Sequence, residues 1–206
     1  MLLRIHPENP GQRHINMVVE CLNDGGIIIY PTDTVYGMGC SIFKPKSVEK
    51  IATIKGLNLK KSNFSFICAD LKHISDYTKP FENHIYRLMR KTLPGPYTFI
   101  LNANNNVPKL FQSKKKTVGI RVPKNNIVTE IVTQLGNPIL TTSVHDDDDV
   151  LEYTTDPELI YEKFKNQVDI VINGGYGDNE ASTVVDCTSG EIMVLRQGKG
   201  QIENYL

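Results

Sequence analysis

Apolar residues in this chain follow two spacings, a helical one and short continuous runs, which is typical of helices packed against a sheet. In residues 14–23, for example, Ile15, Val18, Val19 and Leu22 recur at helical spacing before the Asp24-Gly25-Gly26 stop. The spacing predicts five helices, over residues 14–23, 47–55 (with Ser47 as its N-cap), 81–92, 127–135 and 158–166.

Short apolar runs between these helices predict strands, several of them bounded by proline or glycine. The predicted strands cover residues 27–30, 63–69, 95–102, 117–122, 138–143, 169–172, 182–186 and 192–195. Helices and strands alternate along most of the chain, and no internal repeat or low-complexity linker interrupts them. We therefore expect one α/β domain with a mixed sheet, spanning residues 1–206.

The segment from Gly25 to Cys40, GGIIIYPTDTVYGMGC, carries the strongest local signal. An apolar strand ends at Pro31, and hydroxyls, one carboxylate (Asp33) and two glycines follow it. Strand ends of this kind present polar ligand sites in α/β sheets, and glycine permits close backbone approach. The same residues also suit the capping of a turn and of a helix start. The pattern alone leaves both interpretations open.

Composition narrows the function classes. The 206 residues include 23 basic and 23 acidic side chains, so no overall field favours a nucleic acid or a membrane surface. No apolar stretch reaches the roughly 20 residues of a membrane span, and the polar N-terminus is unlike a signal peptide. The four cysteines are scattered and form no metal-binding pattern. Three of them lie in or beside apolar runs, so we expect buried free thiols there and a cytoplasmic protein.

Common catalytic and nucleotide-binding motifs are missing from the sequence. It contains no GxxxxGK[ST] loop, no GxGxxG junction, no GxSxG elbow and no HExxH helix. What remains is a set of polar clusters at predicted strand ends. Arg121 and Arg196 each belong to an otherwise apolar strand, where an unpaired guanidinium is costly. Each arginine therefore needs a carboxylate partner or an anionic ligand, and the sequence does not choose between them.

Six ordered motifs carry a family resemblance. They read YPTDTVYGMG, a helix with Lys55, PGPYTFIL, GIRVP, TTS, and STVVD followed by VLRQG. In this order, from about residue 25 to residue 200, the chain resembles the YrdC-like family of threonylcarbamoyl-AMP synthases, and within it the YciO branch.

The resemblance implies a twisted open mixed sheet around a large, concave polar face. It also implies condensation of L-threonine, bicarbonate and ATP, with Mg²⁺, to threonylcarbamoyl-AMP and pyrophosphate, towards a tRNA modification. Members of the family have also been described as binding double-stranded RNA. Charge-assisted hydrogen bonds from strand-end hydroxyls, Arg and Lys suit the anions of this reaction.

By resemblance, site roles extend to individual residues. Thr34, Arg121 and Ser182 are expected to bind threonine, whereas Lys55, Thr141, Ser143 and Arg196 are expected to face the nucleotide. The candidate RNA contacts are five lysines, namely Lys60, Lys61, Lys114, Lys115 and Lys116.

The chain departs from the family pattern at Leu57 and His145, in the loop NLKKSNF, and in the strand FSFICA, which lacks an expected histidine. Leu57 stands where the synthases have an arginine, and His145 stands where they have an asparagine. A lysine nearby does not reproduce a bidentate guanidinium. The retained residues favour a synthase of weak activity, whereas Leu57 and His145 favour an RNA- or nucleotide-binding protein of the same fold. An enzyme with a changed acyl donor or acceptor is the third alternative.

Overall fold

In a computed structural model the protein is described over residues 1–56, 64–109, 116–144 and 155–205. These residues form ten strands and six α-helices. The strands are β1 Leu2–Arg4, β2 Ile28–Tyr30, β3 Gly37–Ser41, β4 Ser65–Ile67, β5 Tyr97–Asn102, β6 Thr117–Arg121, β7 Ile139–Ser143, β8 Ile170–Asn173, β9 Thr183–Asp186 and β10 Met193–Arg196. The helices are α1 Gln12–Asn23, α2 Pro45–Ile54, α3 Leu71–Ser75, α4 Asn83–Thr92, α5 Asn126–Leu135 and α6 Pro157–Phe164, and a 3₁₀ helix covers Ile202–Tyr205.

All ten strands join one open mixed sheet, in the order β1-β8-β2-β3-β7-β4-β6-β5-β9-β10. Four neighbouring pairs are parallel, β1·β8, β2·β8, β4·β6 and β5·β9, and the other five pairs are antiparallel. The predicted α/β fold with a mixed sheet is confirmed. Each predicted helix and strand is present, with boundaries that differ by at most two residues.

The sheet separates two apolar cores. On one side Ile27 and Ile29 join a cluster that contains Phe66 and Phe99. On the other side Ile28 and Tyr30 pack against residues of α1 and α5. Successive side chains of a strand point to opposite faces, so a strand covered on both faces is apolar without alternation. This explains the continuous apolar run of β2.

The sequence did not predict β3, which lies near the centre of the sheet between β2 and β7. Its residues, GMGCS, include two glycines and have little strand propensity. The structure explains Gly39, because a Cβ built there would lie 2.2 Å from the carbonyl oxygen of Leu140 on the neighbouring strand. A larger residue would push β3 and β7 apart.

Two further differences concern helices and edges. The strand β1 and the helix α3 were not predicted either. The prediction that Ser47 caps α2 is wrong: the helix begins at Pro45 after Lys44, and the Ser47 hydroxyl instead donates to the carbonyl of Gly25. None of the helices in the described ranges is long and apolar enough to cross a membrane.

Candidate functional site

The turn after β2 is fixed by its own hydroxyls. Thr32 Oγ1 accepts a hydrogen bond from the backbone N–H of Thr34 at 3.1 Å and donates to the carbonyl of Val35 at 2.7 Å. Thr32 therefore has the turn-forming role that the sequence left open. Thr34 is fully buried, and its hydroxyl lies 3.1 Å from that of Thr32. The turn thus directs the Thr34 side chain inward, towards the end of β6.

Arg121, the last residue of β6, meets this turn. Its Nη2 donates to Thr34 Oγ1 at 2.8 Å and to Asp33 Oδ1 at 3.3 Å. The guanidinium is buried, and its Nε has no hydrogen-bond partner among the described residues. Burial lowers the pKa of Arg121 and the Asp33 charge opposes that shift, but an arginine stays protonated in proteins. Of the two partners that the sequence left open for Arg121, the structure shows a carboxylate of the chain itself, that of Asp33. The Nε–H of Arg121 remains as a further donor.

Asp33 also bonds to two residues nearer the protein surface, Lys124 and Lys199. Its Oδ2 accepts the backbone N–H of Lys124 at 2.9 Å, and its carbonyl accepts Lys199 Nζ at 2.8 Å. Lys199 also bonds to Asp178 Oδ2 at 2.6 Å. This hydrogen bond is the main reason why the pKa of Asp178 lies below its ordinary value. Asp33, Arg121, Asp178 and Lys199 thus form one charged group around the turn.

The loop after β8 is held against the same turn by Tyr36. The phenol of Tyr36 donates to the carbonyl of Gly175 at 2.6 Å, and burial raises its pKa to about 12. A Cβ at Gly177 would lie 2.6 Å from the Tyr36 ring. Farther along, the backbone N–H of Asp178 donates to the carbonyl of Thr34 at 3.1 Å. Close packing on Tyr36 therefore sets the position of the Asp178 carboxylate.

Ser182 and Arg196 lie beside this group. The hydroxyls of Ser182 and Thr98 are 2.8 Å apart and buried, and Arg196 Nη2 donates to the carbonyl of Ser182 at 2.8 Å. Arg196 is also near enough to contribute to the lowered pKa of Arg121. The expectation that Arg196 needs a carboxylate or an anionic ligand is wrong, because all four residues of β10 are exposed and its guanidinium bonds to a backbone carbonyl.

The other residues assigned to the nucleotide by resemblance are more dispersed. Thr141 is buried, and its hydroxyl accepts a hydrogen bond from the Tyr30 phenol at 2.8 Å. Ser143 is exposed at the end of β7, opposite Gly37 of β3. Lys55 follows α2 and is half-buried. The nucleotide roles of these residues stay predictions.

Two neighbouring cavities open at the charged group. The first has a volume of about 530 Å³, and its walls include Thr32, Thr34 and Asp178. The second, of about 430 Å³, lies between the end of α4 and the C-terminal segment. Asp33 and Lys199 line both cavities and form the wall between them. Of the described residues assigned to the site by resemblance, Thr34 lines the first cavity; the others, Arg121, Ser182, Lys55, Thr141, Ser143 and Arg196, line neither cavity.

Of the candidate RNA contacts, one lies among the described residues. Lys60, Lys61, Lys114 and Lys115 lie outside the described residues, as do Leu57 and His145. Lys116 is described, and it is exposed immediately before β6 with a left-handed φ of 51°. Within the described ranges no group of three or more His, Cys, Asp or Glu side chains could hold a metal ion.

Sequence reasoning missed two residues of the charged group. Asp178 lies in a polar loop, GYGDNE, that has no recognisable motif. Lys199 lies just after the motif VLRQG, and the resemblance assigns it no role. The glycines on both sides of Lys199 were its available signal, since Gly198 and Gly200 are buried where a Cβ would meet Ala181 or Tyr97.

Known proteins with related sequences or folds agree with this picture. A family model for Sua5, YciO and YrdC proteins, described as "Telomere recombination", matches residues 20–198. The uncharacterised protein YciO of Escherichia coli is 42% identical over 204 residues, covering 98% of this chain and 97% of YciO. Its crystal structure superposes with a TM-score of 0.91, covering 100% of this chain and 99% of that one.

More distant relatives carry more specific names. The threonylcarbamoyl-AMP synthase of Coxiella burnetii is 29% identical over 182 residues, 88% of this chain and 96% of that protein. The crystal structure of P. abyssi Sua5 complexed with L-threonine has a TM-score of 0.84 at 22% identity. It covers 96% of this chain and 57% of the Sua5 chain, and it shows likeness of fold. The chain therefore belongs to the Sua5/YciO/YrdC family.

Proposed function

We propose that this protein is a threonylcarbamoyl-AMP synthase, converting L-threonine, bicarbonate and ATP to threonylcarbamoyl-AMP and pyrophosphate. The observation that carries the proposal is the buried Arg121 guanidinium, which contacts Thr34 and whose Nε has no hydrogen-bond partner in the described part of the chain. An amino-acid carboxylate is the kind of planar anion that a guanidinium binds best. Support also comes from the 29% identical synthase of C. burnetii and from the threonine complex of P. abyssi Sua5.

The charged groups around the turn after β2 support an anionic substrate, although the walls of the first cavity itself include two carboxylates and one lysine. Arg121, Arg196 and Lys199 supply three cations, against the two carboxylates of Asp33 and Asp178. The remaining positive charge favours a carboxylate, a carbamate or a phosphate over a cation. Because Arg121 is buried, its electrostatic interactions are screened less by water and salt than those of an exposed residue.

In the proposed reaction Arg121 receives the threonine carboxylate, and the hydroxyls of Thr34 and Ser182 orient the substrate. The threonine amine attacks bicarbonate, forming a carbamate with loss of water. A carbamate oxygen then attacks the α-phosphorus of ATP, and pyrophosphate leaves. Lys55, Thr141, Ser143 and Arg196 would face the nucleotide. Mg²⁺ would enter with the ATP phosphates, which usually hold it together with one or two carboxylates.

Pyrophosphate release from ATP, measured with and without threonine and bicarbonate, tests the proposal. We expect release that requires both, and Arg121→Lys should reduce it strongly, because lysine keeps the charge but loses the planar fork. Arg4→Lys, at an exposed pair that lines neither cavity, is the matched control. Threonine binding without turnover would favour the binding-protein alternative. The absence of both threonine binding and turnover would contradict the proposal.

The departure at Leu57 gives a second, sequence-based test. If the missing arginine weakens the nucleotide site, Leu57→Arg should raise ATP affinity and turnover by the equivalent of one charge-assisted hydrogen bond, about 1.5–3 kcal/mol. Leu57→Lys is the matched control, since it adds charge without the bidentate geometry. Equal effects of the two variants would show that charge alone is missing. No effect of either would show that this position does not limit the reaction.

A further inference from the structure

The second cavity is lined by three lysines from separate parts of the chain. Lys91 belongs to the last turn of α4, Lys124 follows β6, and Lys199 follows β10. Asp33 is the only carboxylate among the described residues that line it. The cavity therefore has more positive than negative groups, although the whole protein is neutral.

The charge of Asp33 is already matched. One carboxylate oxygen faces Arg121 and the other accepts the N–H of Lys124. The ammonium groups of Lys91 and Lys124 have no hydrogen-bond or ion-pair partner among the described residues, and both side chains are exposed. Two cations thus face the cavity without a carboxylate of their own, which favours an anion between them.

Neutral donors complete the lining. Gln201 and Asn204 contribute amides, and Tyr205 contributes a phenol on a ring that is 39% exposed. Tyr97 lies beneath, and burial, assisted by Tyr205 and Glu203, raises its pKa, so it stays a neutral donor. Lysine ammonium groups combined with amide and hydroxyl donors suit the several oxygens of a phosphate.

We propose that this second cavity is a binding site for phosphate groups, separate from the amino-acid site in the first cavity. Its ligand is either a free polyphosphate or nucleotide, or the phosphates of an RNA backbone. Both would present the same oxygens to Lys91 and Lys124, and the experiment below separates them. The proposal does not depend on turnover, because neither lysine belongs to the group around Arg121.

The site is tested by titrating ¹⁵N-labelled full-length protein with pyrophosphate and following backbone amide shifts. We expect saturable shifts at Gly95 and Gly200, which line the second cavity, that exceed those at Gly177 in the first. Lys91→Gln with Lys124→Gln should weaken this binding roughly tenfold, with a reduced dependence on salt. Lys46→Gln with Lys50→Gln, two exposed lysines of α2, is the matched control and should change nothing.

A parallel titration with a short RNA duplex identifies the source of the phosphate. Tighter binding than pyrophosphate, with the same loss in the Lys91/Lys124 variant, assigns the cavity to an RNA backbone. Shifts at Gly95 and Gly200 with pyrophosphate alone assign it to free phosphates. The proposal is overturned if neither ligand shifts these amides at millimolar concentration, or if the double variant binds as well as the control. Threonine-dependent turnover, measured in the same variants, should be unchanged in every case.

Discussion

Two ion pairs of nearly the same length occupy opposite environments in this protein. Arg121 and Asp33 are 3.3 Å apart, with side chains 10% and 11% exposed. Arg4 and Glu158 are 3.2 Å apart, with side chains 78% and 62% exposed. The distances alone would rank the pairs as equal. Burial separates them, because a buried charge that loses its partner cannot recover its hydration, whereas an exposed one can.

The pair between Lys199 and Asp178 is intermediate. At 2.6 Å it is shorter than both, but its side chains are 40% and 33% exposed. Burial, and not length, should therefore set the order in which the three pairs matter for stability. The predictions below test this order, from the largest expected effect to the smallest.

The largest effect is expected from Arg121→Met, which keeps most of the side-chain volume but removes the charge. Asp33 would remain buried without its guanidinium, and breaking a buried pair in this way costs about 3–5 kcal/mol of unfolding free energy. Urea denaturation measures this loss. In the matched variant Arg4→Met the loss should stay below about 1 kcal/mol. Equal losses in both variants would mean that burial does not distinguish the pairs.

A smaller effect is expected from Thr34→Val, which replaces the hydroxyl by a methyl group of similar size. Arg121 would lose its 2.8 Å acceptor in a fully buried position, and an unsatisfied buried group costs about 1–3 kcal/mol. The unfolding free energy measures it again. Thr53→Val, at an exposed hydroxyl on α2 that bonds to Glu49, should change stability by less. A Thr34→Val protein as stable as the wild type would show that Arg121 finds another acceptor.

Among the variants of the charged group, the smallest loss of unfolding free energy is expected from Lys199→Met. The loss should be less than about 1 kcal/mol at neutral pH, because the pair is partly exposed. Its pH dependence has a definite sign. The pKa of Asp178 is lowered in the folded state, so the pair stabilises the protein above the ordinary carboxyl pKa, and this contribution is lost as pH falls through the lowered value.

Comparison of wild type and Lys199→Met across the acidic range isolates this contribution. Their stability difference should shrink as the pH falls, and high salt should reduce it at neutral pH. Asp178→Asn is the complementary variant and should show the same difference. A stability difference between wild type and variant that grows as the pH falls would contradict the prediction that the pair stabilises the protein only above the lowered pKa of Asp178.

The sequence predicted the elements whose character is local. The apolar run of β2 and the helical spacing of α1 and α5 are recorded in neighbouring residues, and each element was predicted within two residues. By contrast, β3 pairs with β7 because Gly39 has no Cβ, which allows the backbone of β7 to approach closely. Contacts of that kind depend on the tertiary arrangement, and propensity does not reveal them.

The site was predictable to the same extent. The sequence indicated that Arg121 needs a partner, because a charge in an apolar strand is costly. It did not identify Asp33, which lies 88 positions away. Asp178 was missed because its place depends on how Tyr36 packs against Gly177, a contact between distant segments. Resemblance to the family supplied Thr34 and Ser182, but not their contacts.

The span of the Asp33–Lys199 contact, 166 positions, has a consequence for folding. A site built from both halves of the chain is absent from any intermediate in which only one half has folded, and long-range contacts of this kind slow folding. A ligand of the first cavity can therefore bind only the fully assembled protein, and it stabilises that state by mass action, by about 2.7 kcal/mol at a hundredfold excess over its Kd. A rise in melting temperature on adding such a ligand would thus report the joining of the two halves, independently of any chemistry.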